Sequence, residues 1–110
     1  MLRKLTEIDR KLTLTFLNDN PALNLFIIGD IYQHGFNSNV QTLWATFNEQ
    51  GTMTGVLLRY KKNYIPYFTD ENYDVTSFVK ILKSEHASML SGGTFTRWKN
   101  LIILWQLRKT

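Results

Sequence analysis

Few side chains in this sequence are of types that do chemistry, and none stands in a complete catalytic or metal-binding pattern. The two histidines, His34 and His86, lie far apart, whereas a tetrahedral metal site needs three or four ligands. Cysteine is absent, which excludes disulfides, thiolate ligands and a nucleophilic cysteine. No serine lies in a nucleophile elbow. The histidines are therefore interpreted as surface or helix-end residues.

Two other groups resemble ligand sites in part. Asp70, Glu71 and Asp74 form an acidic cluster in a predicted turn before a helix, where capping and solvation are the usual roles of carboxylates. Gly92-Gly93 is followed by Arg97, but the Lys-Ser/Thr ending of a phosphate-binding loop is missing. We interpret the first group as helix capping and the second as a turn.

Aromatic and basic residues also alternate near the middle of the chain, as they do on surfaces that stack nucleic-acid bases. These residues are Tyr60, Tyr64, Tyr67 and Phe68, with Arg59, Lys61 and Lys62. No RNP-like run is present, and aromatic residues at strand positions usually pack in a core. The net charge of +4 comes entirely from four basic residues in the last twenty, because residues 1–90 are balanced. A basic patch through the fold is missing, so nucleic-acid binding is disfavoured.

Two helices are predicted in the first third of the 110-residue chain, which by length is one domain. Residues 2–5 form a short strand, and Thr6 is placed to cap a helix whose first turn is acidic. Ile8, Leu12 and Phe16 follow at i, i+4 and i+8, on one helical face. This helix is expected to end at residues 18–20.

The second helix is predicted to begin at Pro21, because a missing N–H costs nothing at the first helical position. Gly35 is a plausible C-terminal stop. The expected buried side of this helix consists of Leu23, Phe26, Ile27 and Ile31.

The period then changes to two, which predicts an antiparallel meander. The first strand alternates around Leu43, Ala45 and Phe47, and residues 48–51 form a hairpin turn. A second strand spans residues 56–60 and a third spans 64–68, where Pro66 favours a sheet edge or a bulge. Asp74 then caps a third helix with Val75, Phe78, Val79 and Leu82 inward, and residues 87–90 are a strand candidate. The predicted fold class is α/β (α+β), with a meander packed against helices.

Four separate segments of the sequence point to a known family. They are residues 2–6 (LRKLT), 21–31 (PALNLFIIGDI), 56–60 (VLLRY) and 63–67 (NYIPY). Together they resemble the N-terminal, degenerate half of bacterial GNAT-family N-acetyltransferase-like proteins, over residues 1–92. The resemblance implies a partial GNAT-like fold and, in the complete protein, acetyl transfer from acetyl-CoA to an amine. In such enzymes a deprotonated amine attacks the thioester, and backbone N–H groups hold the oxyanion.

The cofactor signature of that family is missing from this chain. Its glycine-rich loop lies between the last meander strand and the next helix, where it lets backbone N–H groups approach the pyrophosphate. Here that position reads Thr69-Asp70-Glu71-Asn72-Tyr73-Asp74, with no glycine and three carboxylates. No cofactor is therefore expected to bind this chain, and activity of the chain alone is not expected.

Residues 93–110 do not resemble the family. This basic, apolar tail fits a strand or a helix, and its abrupt change in charge suggests a truncated or frame-shifted end. The expected partner is therefore either a missing C-terminal half or a second copy of the chain in a homodimer. The N-terminus has no signal-peptide core, and no run approaches the ~20 apolar residues of a membrane span, so a cytoplasmic protein is expected.

Position in the resembling fold also indicates where an acceptor amine would bind. The second helix and the loop before it border the acceptor side in GNAT folds. The resemblance thus indicates Asp30, Tyr32 and Tyr67 as candidate substrate-binding residues, against the alternative of a solvated helix face and sheet packing. The second function considered is a non-catalytic interaction module, in which an open sheet edge seeks a partner.

Overall fold

A five-stranded sheet, in which the strands are ordered as in the chain, forms the centre of the computed structural model, which describes residues 1–69, 75–84 and 89–90. The strands are β1 (Leu2–Lys4), β2 (Gln41–Phe47), β3 (Met53–Tyr60), β4 (Asn63–Phe68) and β5 (Met89–Leu90). Strands β1 to β4 pair antiparallel in succession, and β5 pairs parallel with the start of β4. The predicted mixed class with an antiparallel meander is confirmed.

Helices cover both faces of this sheet. They are α1 (Arg10–Leu17), which follows a 3-10 turn (Glu7–Asp9), α2 (Leu25–His34) and α3 (Val75–Ser84). Helices α1 and α2 pack on one face against alternate residues of β2 and β3, among them Leu43 and Leu58. Helix α3 packs on the other face against Leu57, Tyr64 and Phe68. Since both faces are covered, β3 and β4 carry buried apolar residues on both sides, whereas β2 keeps Thr42 and Thr46 on the side of α3.

An ion pair fixes the N-terminal strand to the turn that follows it. Both terminal nitrogens of Arg3 donate to the carboxylate of Asp9 at 2.9 Å, and the backbone N–H of Thr6 donates to the same carboxylate at 2.9 Å. The Arg3 guanidinium lowers the pKa of Asp9 to about 2, with a smaller contribution from Thr6. The carboxylate therefore stabilises the fold above its ordinary pKa, and that contribution is lost as the pH falls towards 2.

The interpretation of Ile8, Leu12 and Phe16 as one helical face is wrong at its first member. Ile8 lies in the 3-10 turn rather than in α1, and it is 94% exposed. A 3-10 turn advances by three residues per turn, so the i, i+4 spacing does not continue through it. Leu12 is also exposed, and the fully buried side of α1 is formed by Thr13 and Leu17.

The second helix begins later than predicted. Residues 21–24 form a turn, and α2 begins at Leu25 rather than at Pro21. The buried amide of Asn24 donates to the carbonyl of Leu17 at 3.0 Å, which joins this turn to the end of α1. The prediction that Phe26 is buried is wrong, because its side chain is 73% exposed.

Other predicted features are confirmed. Ile27 and Ile31 are buried, and α2 ends before Gly35, which has a φ of 73°. Phe78, Val79 and Leu82 are the inward side of α3. In the described residues β5 pairs only with Asn63 and Tyr64, so β4 is an edge at Pro66, as the proline predicted. The predicted cap Asp74 and the side chain of Val75, the fourth residue predicted to point inward, lie outside the described part of the structure.

Within the described ranges, no helix is both long enough and apolar enough to cross a membrane.

Candidate functional site

Polar side chains meet at the C-terminal end of α2, where the helix crosses the start of β2 and the end of β3. Gln41 and Tyr60 are paired across these two strands, and both lie on the sheet face that α2 covers. Asp30 and His34 lie one helical turn apart on α2. These four residues, Asp30, His34, Gln41 and Tyr60, are called the α2-end cluster below.

Gln41 joins the helix to the sheet. Its side chain is fully buried, and Nε2 donates to the carbonyl oxygens of Asp30 at 2.9 Å and Gly35 at 2.6 Å. The Asp30 carbonyl lies one turn before the end of the helix, and the Gly35 carbonyl lies just beyond that end, where intrahelical donors are lacking. The amide oxygen Oε1 is buried and has no hydrogen-bond partner among the described residues. A sealed acceptor of this kind can take a hydrogen bond from an enclosed water.

The titratable members of the cluster influence each other. Partial burial raises the pKa of Asp30, and the positive charge of His34 opposes that rise. The His34 ring lies 5.0 Å from the Tyr60 ring, centroid to centroid, and the ammonium of Lys61 lies 5.5 Å from the same Tyr60 centroid. A cation bound beside Asp30 would favour the ionised carboxylate, because an opposite charge offsets the cost of desolvation.

The three predicted substrate-binding residues lie in different surroundings. Asp30 is half-buried in the cluster, whereas Tyr32 is 68% exposed on the opposite side of α2. Tyr67 is buried under α1, where its ring meets the edge of Phe16 at a centroid distance of 5.5 Å. Of the three, Asp30 alone is both partly accessible and surrounded by polar groups.

Sequence reasoning missed Gln41. The predicted strand was described around Leu43, Ala45 and Phe47, and Gln41 was not considered as part of it. Its phase was the available signal, because Gln41 is two residues before Leu43 and in register with Ala45 and Phe47. A polar residue in phase with a buried stripe points inward and needs hydrogen-bond partners there.

The other sequence candidates are placed as follows. His34 is the last residue of α2, which confirms its interpretation as a helix-end histidine. Tyr64, Tyr67 and Phe68 are buried on opposite sheet faces, so they do not form an exposed stacking surface. Across the part of the chain that the structure describes, no three His, Asp or Glu side chains are grouped as metal ligands. The remaining candidates lie outside the described residues: Asp70, Glu71, Asp74, His86, Gly92-Gly93, Arg97 and the tail.

Comparison with known proteins gives no match to a family model, to a curated protein or to a solved structure. Support for a function therefore comes from the residues and geometry of this chain.

Proposed function

We propose that this chain is the N-terminal portion of a GNAT-like N-acetyltransferase, inactive alone, in which the α2-end cluster lies on the acceptor side. The observation that carries the proposal is the arrangement of the elements. One strand, two helices, a three-stranded antiparallel meander, a helix and a further strand follow each other in the order of that fold. The two sets of helices lie on opposite sheet faces, and β5 returns parallel to β4.

The α2-end cluster supports an amine as the acceptor. An ammonium ion is a donor with a positive charge, and the cluster offers the half-buried carboxylate of Asp30 as its acceptor. Burial has already raised the pKa of Asp30, so a bound cation recovers part of that desolvation cost. Tyr32, which is exposed on the opposite side of α2, is not needed to bind the amine.

The residues at the cofactor position do not fit a pyrophosphate. Thr69 is the last described residue of that segment, and both its N–H and its hydroxyl donate to the carbonyl of Thr54 at 3.2 Å. Neither donor is therefore directed to a phosphate. The sequence continues with Asp70 and Glu71, whose charges would repel one. No step through acetyl-CoA is assigned to this chain.

Nitrogen-15 NMR titrations test both parts of the proposal on the whole chain. We expect 1,4-diaminobutane to shift resonances of the α2-end cluster, and acetyl-CoA to shift none. Asp30→Asn should lower the affinity for the diamine up to about fivefold, since a partly exposed ion pair contributes about 1 kcal/mol or less. Asp19→Asn, which removes an exposed carboxylate outside the cluster, is the matched control.

Two outcomes would contradict the proposal. Diamine shifts that Asp30→Asn leaves unchanged would remove the acceptor site from the α2-end cluster. Acetylation of the diamine by this chain with acetyl-CoA would show that a complete cofactor site exists without the glycine loop.

A non-catalytic interaction module is the second candidate function. The supporting observation is the amount of apolar surface that the helices expose. Leu25, Phe26 and Tyr32 on α2 are 64%, 73% and 68% exposed. Large exposed apolar side chains grouped on one element are typical of an interaction surface.

A further inference from the structure

One side of α2 is apolar although it faces solvent. The described residues expose six large hydrophobic side chains, and three of them, Leu25, Phe26 and Tyr32, lie on this ten-residue helix. They lie opposite the buried side formed by Ile27 and Ile31, at a spacing that brings them together on a helix. The outer face of α2 is defined here as Leu25, Phe26, Gly29, Tyr32 and Gln33. None of these five residues carries a charge.

Gly29 lies at the centre of the outer face. Glycine is among the poorest helix formers, so a glycine inside a helix calls for a reason in packing. No such reason is found within the described part of this chain, because a Cβ added to Gly29 would meet nothing within 4 Å. The missing side chain instead leaves a shallow gap between Leu25 and Tyr32, which a second helix can approach closely.

We propose that a second copy of this chain docks on the outer face of α2, with the two helices antiparallel across a two-fold axis at Gly29. A two-fold interface uses the same patch on both partners, so the patch must complement itself. The outer face does so. Leu25 and Tyr32 lie four and three residues on either side of Gly29, so each Leu25 faces the partner's aromatic end.

The area available agrees with a small, reversible interface. Aromatic side chains bury about 150–250 Å² each, so Phe26 and Tyr32 at their present exposure offer roughly 300 Å² per copy. Leu25 and Gln33 extend this apolar centre. Two copies of this aromatic centre bury roughly 600 Å² in total, which is below the about 1,200 Å² at which stable interfaces begin. We therefore expect a weak, transient dimer that forms only at high protein concentration.

This inference gives the interaction candidate a surface and a partner, and it rests on that candidate rather than on the acetyltransferase proposal. Experiments can distinguish failure of this inference from failure of the interaction candidate. A dimer that forms through another surface would overturn the inference and keep the interaction candidate. A protein that stays monomeric up to about millimolar concentration would contradict both.

A cysteine at the proposed axis provides the first test. The chain has no cysteine, so a disulfide in Gly29→Cys can only join residue 29 of two copies. The added side chain has room in the folded chain. Mild oxidation should accumulate a covalent dimer even though the added Cβ weakens the reversible one, because a disulfide needs Cα atoms about 4.4–6.8 Å apart and traps each dimer that forms. Gln50→Cys, in the exposed hairpin turn, is the control and should cross-link far less.

Light scattering and analytical ultracentrifugation provide the second test. The wild-type chain should shift from monomer to dimer with increasing concentration, and Phe26→Glu should weaken the dimer at least tenfold without changing the far-UV spectrum. Ile8→Glu, which places the same charge at a 94% exposed apolar position outside α2, should dimerise as the wild type does. Equal weakening by both variants, or equal cross-linking of both cysteine variants, would overturn the proposal. Occupation of the outer face by residues 93–110 of the same chain would give a monomer that does not cross-link.

Discussion

The two sides of α2 differ in how much of their apolar surface is buried by the described residues. On the inner side, Ile27 and Ile31 are buried in the core, and the Gln41 amide supplies donors to carbonyls at the end of the helix. On the outer side, Phe26 and Tyr32 are as hydrophobic as the core but remain mostly exposed. Packing among the described residues explains the composition of the inner side only. The proposed second copy would account for the outer side, because it would remove these side chains from water.

The largest expected contrast comes from truncating one residue on each side. Ile31→Ala should lower the free energy of unfolding by about 2–5 kcal/mol, because it removes buried methyl groups and leaves a cavity. Leu25→Ala should change it by no more than about 0.5 kcal/mol at low protein concentration. Urea unfolding of both variants measures the difference. Comparable losses would mean that the same chain already covers Leu25.

Alanine substitutions of two glycines near α2 should change the free energy of unfolding in opposite directions. Gly35 has a φ of 73° and a ψ of -156°, a conformation that residues with a Cβ rarely adopt, so Gly35→Ala should cost about 1–3 kcal/mol. Gly29→Ala has room and should stabilise the monomer by about 0.5–1 kcal/mol. The same methyl group should weaken the dimer, because it fills the gap at the proposed axis.

Thermal unfolding at low concentration, with sedimentation at high concentration, separates the two effects. If Gly29→Ala strengthened both the fold and the dimer, the helix axes would not approach each other at residue 29.

The smallest expected effect lies at Asp30, on the boundary between the two sides. Burial raises its pKa in the folded protein, so its contribution to stability is fully present below the ordinary value of 3.8 and is lost as the pH rises through the raised value. Asp30→Asn removes that loss. Its stability relative to the wild type should therefore increase from acidic to neutral pH, within about 0.5 kcal/mol. Urea titrations at several pH values measure this, and a relative decrease towards neutral pH would contradict the assigned cause.

The sequence predicted the inner side of α2 better than the outer side. Leu25, Phe26, Ile27 and Ile28 are four consecutive apolar residues, so they span the helix circumference and a 3.6-residue period cannot separate them. Ile27 and Ile31 were assigned correctly because they lie one turn apart, and Phe26 was assigned wrongly. The first hairpin was easier, since the alternation along β2 and the turn at residues 48–51 agree with each other.

The candidate site depended on contacts that sequence patterns do not contain. Asp30 was selected by its position in a resembling fold. Its surroundings include Gln41, which donates to its backbone carbonyl, and His34, whose ring lies beside Tyr60. Gln41 and Tyr60 come together only after β2 and β3 have paired. The start of α2 was misplaced for a similar reason. The tertiary hydrogen bond from Asn24 to Leu17 overrides the local preference of Pro21 for a helix start.

The order of the strands also has a consequence for how the chain folds. Strands β2, β3 and β4 are joined by short turns, so their hairpins close small loops and can form early. Strand β1 has only three residues. Its hydrogen bonds to β2 join residues far apart in the sequence, such as Met1 and Phe47, which are 46 positions apart. Strand β1 is therefore expected to join last and to open first. Its amide protons should exchange with solvent faster than those of the hairpins, which would identify a cooperative unit that opens while the meander stays closed.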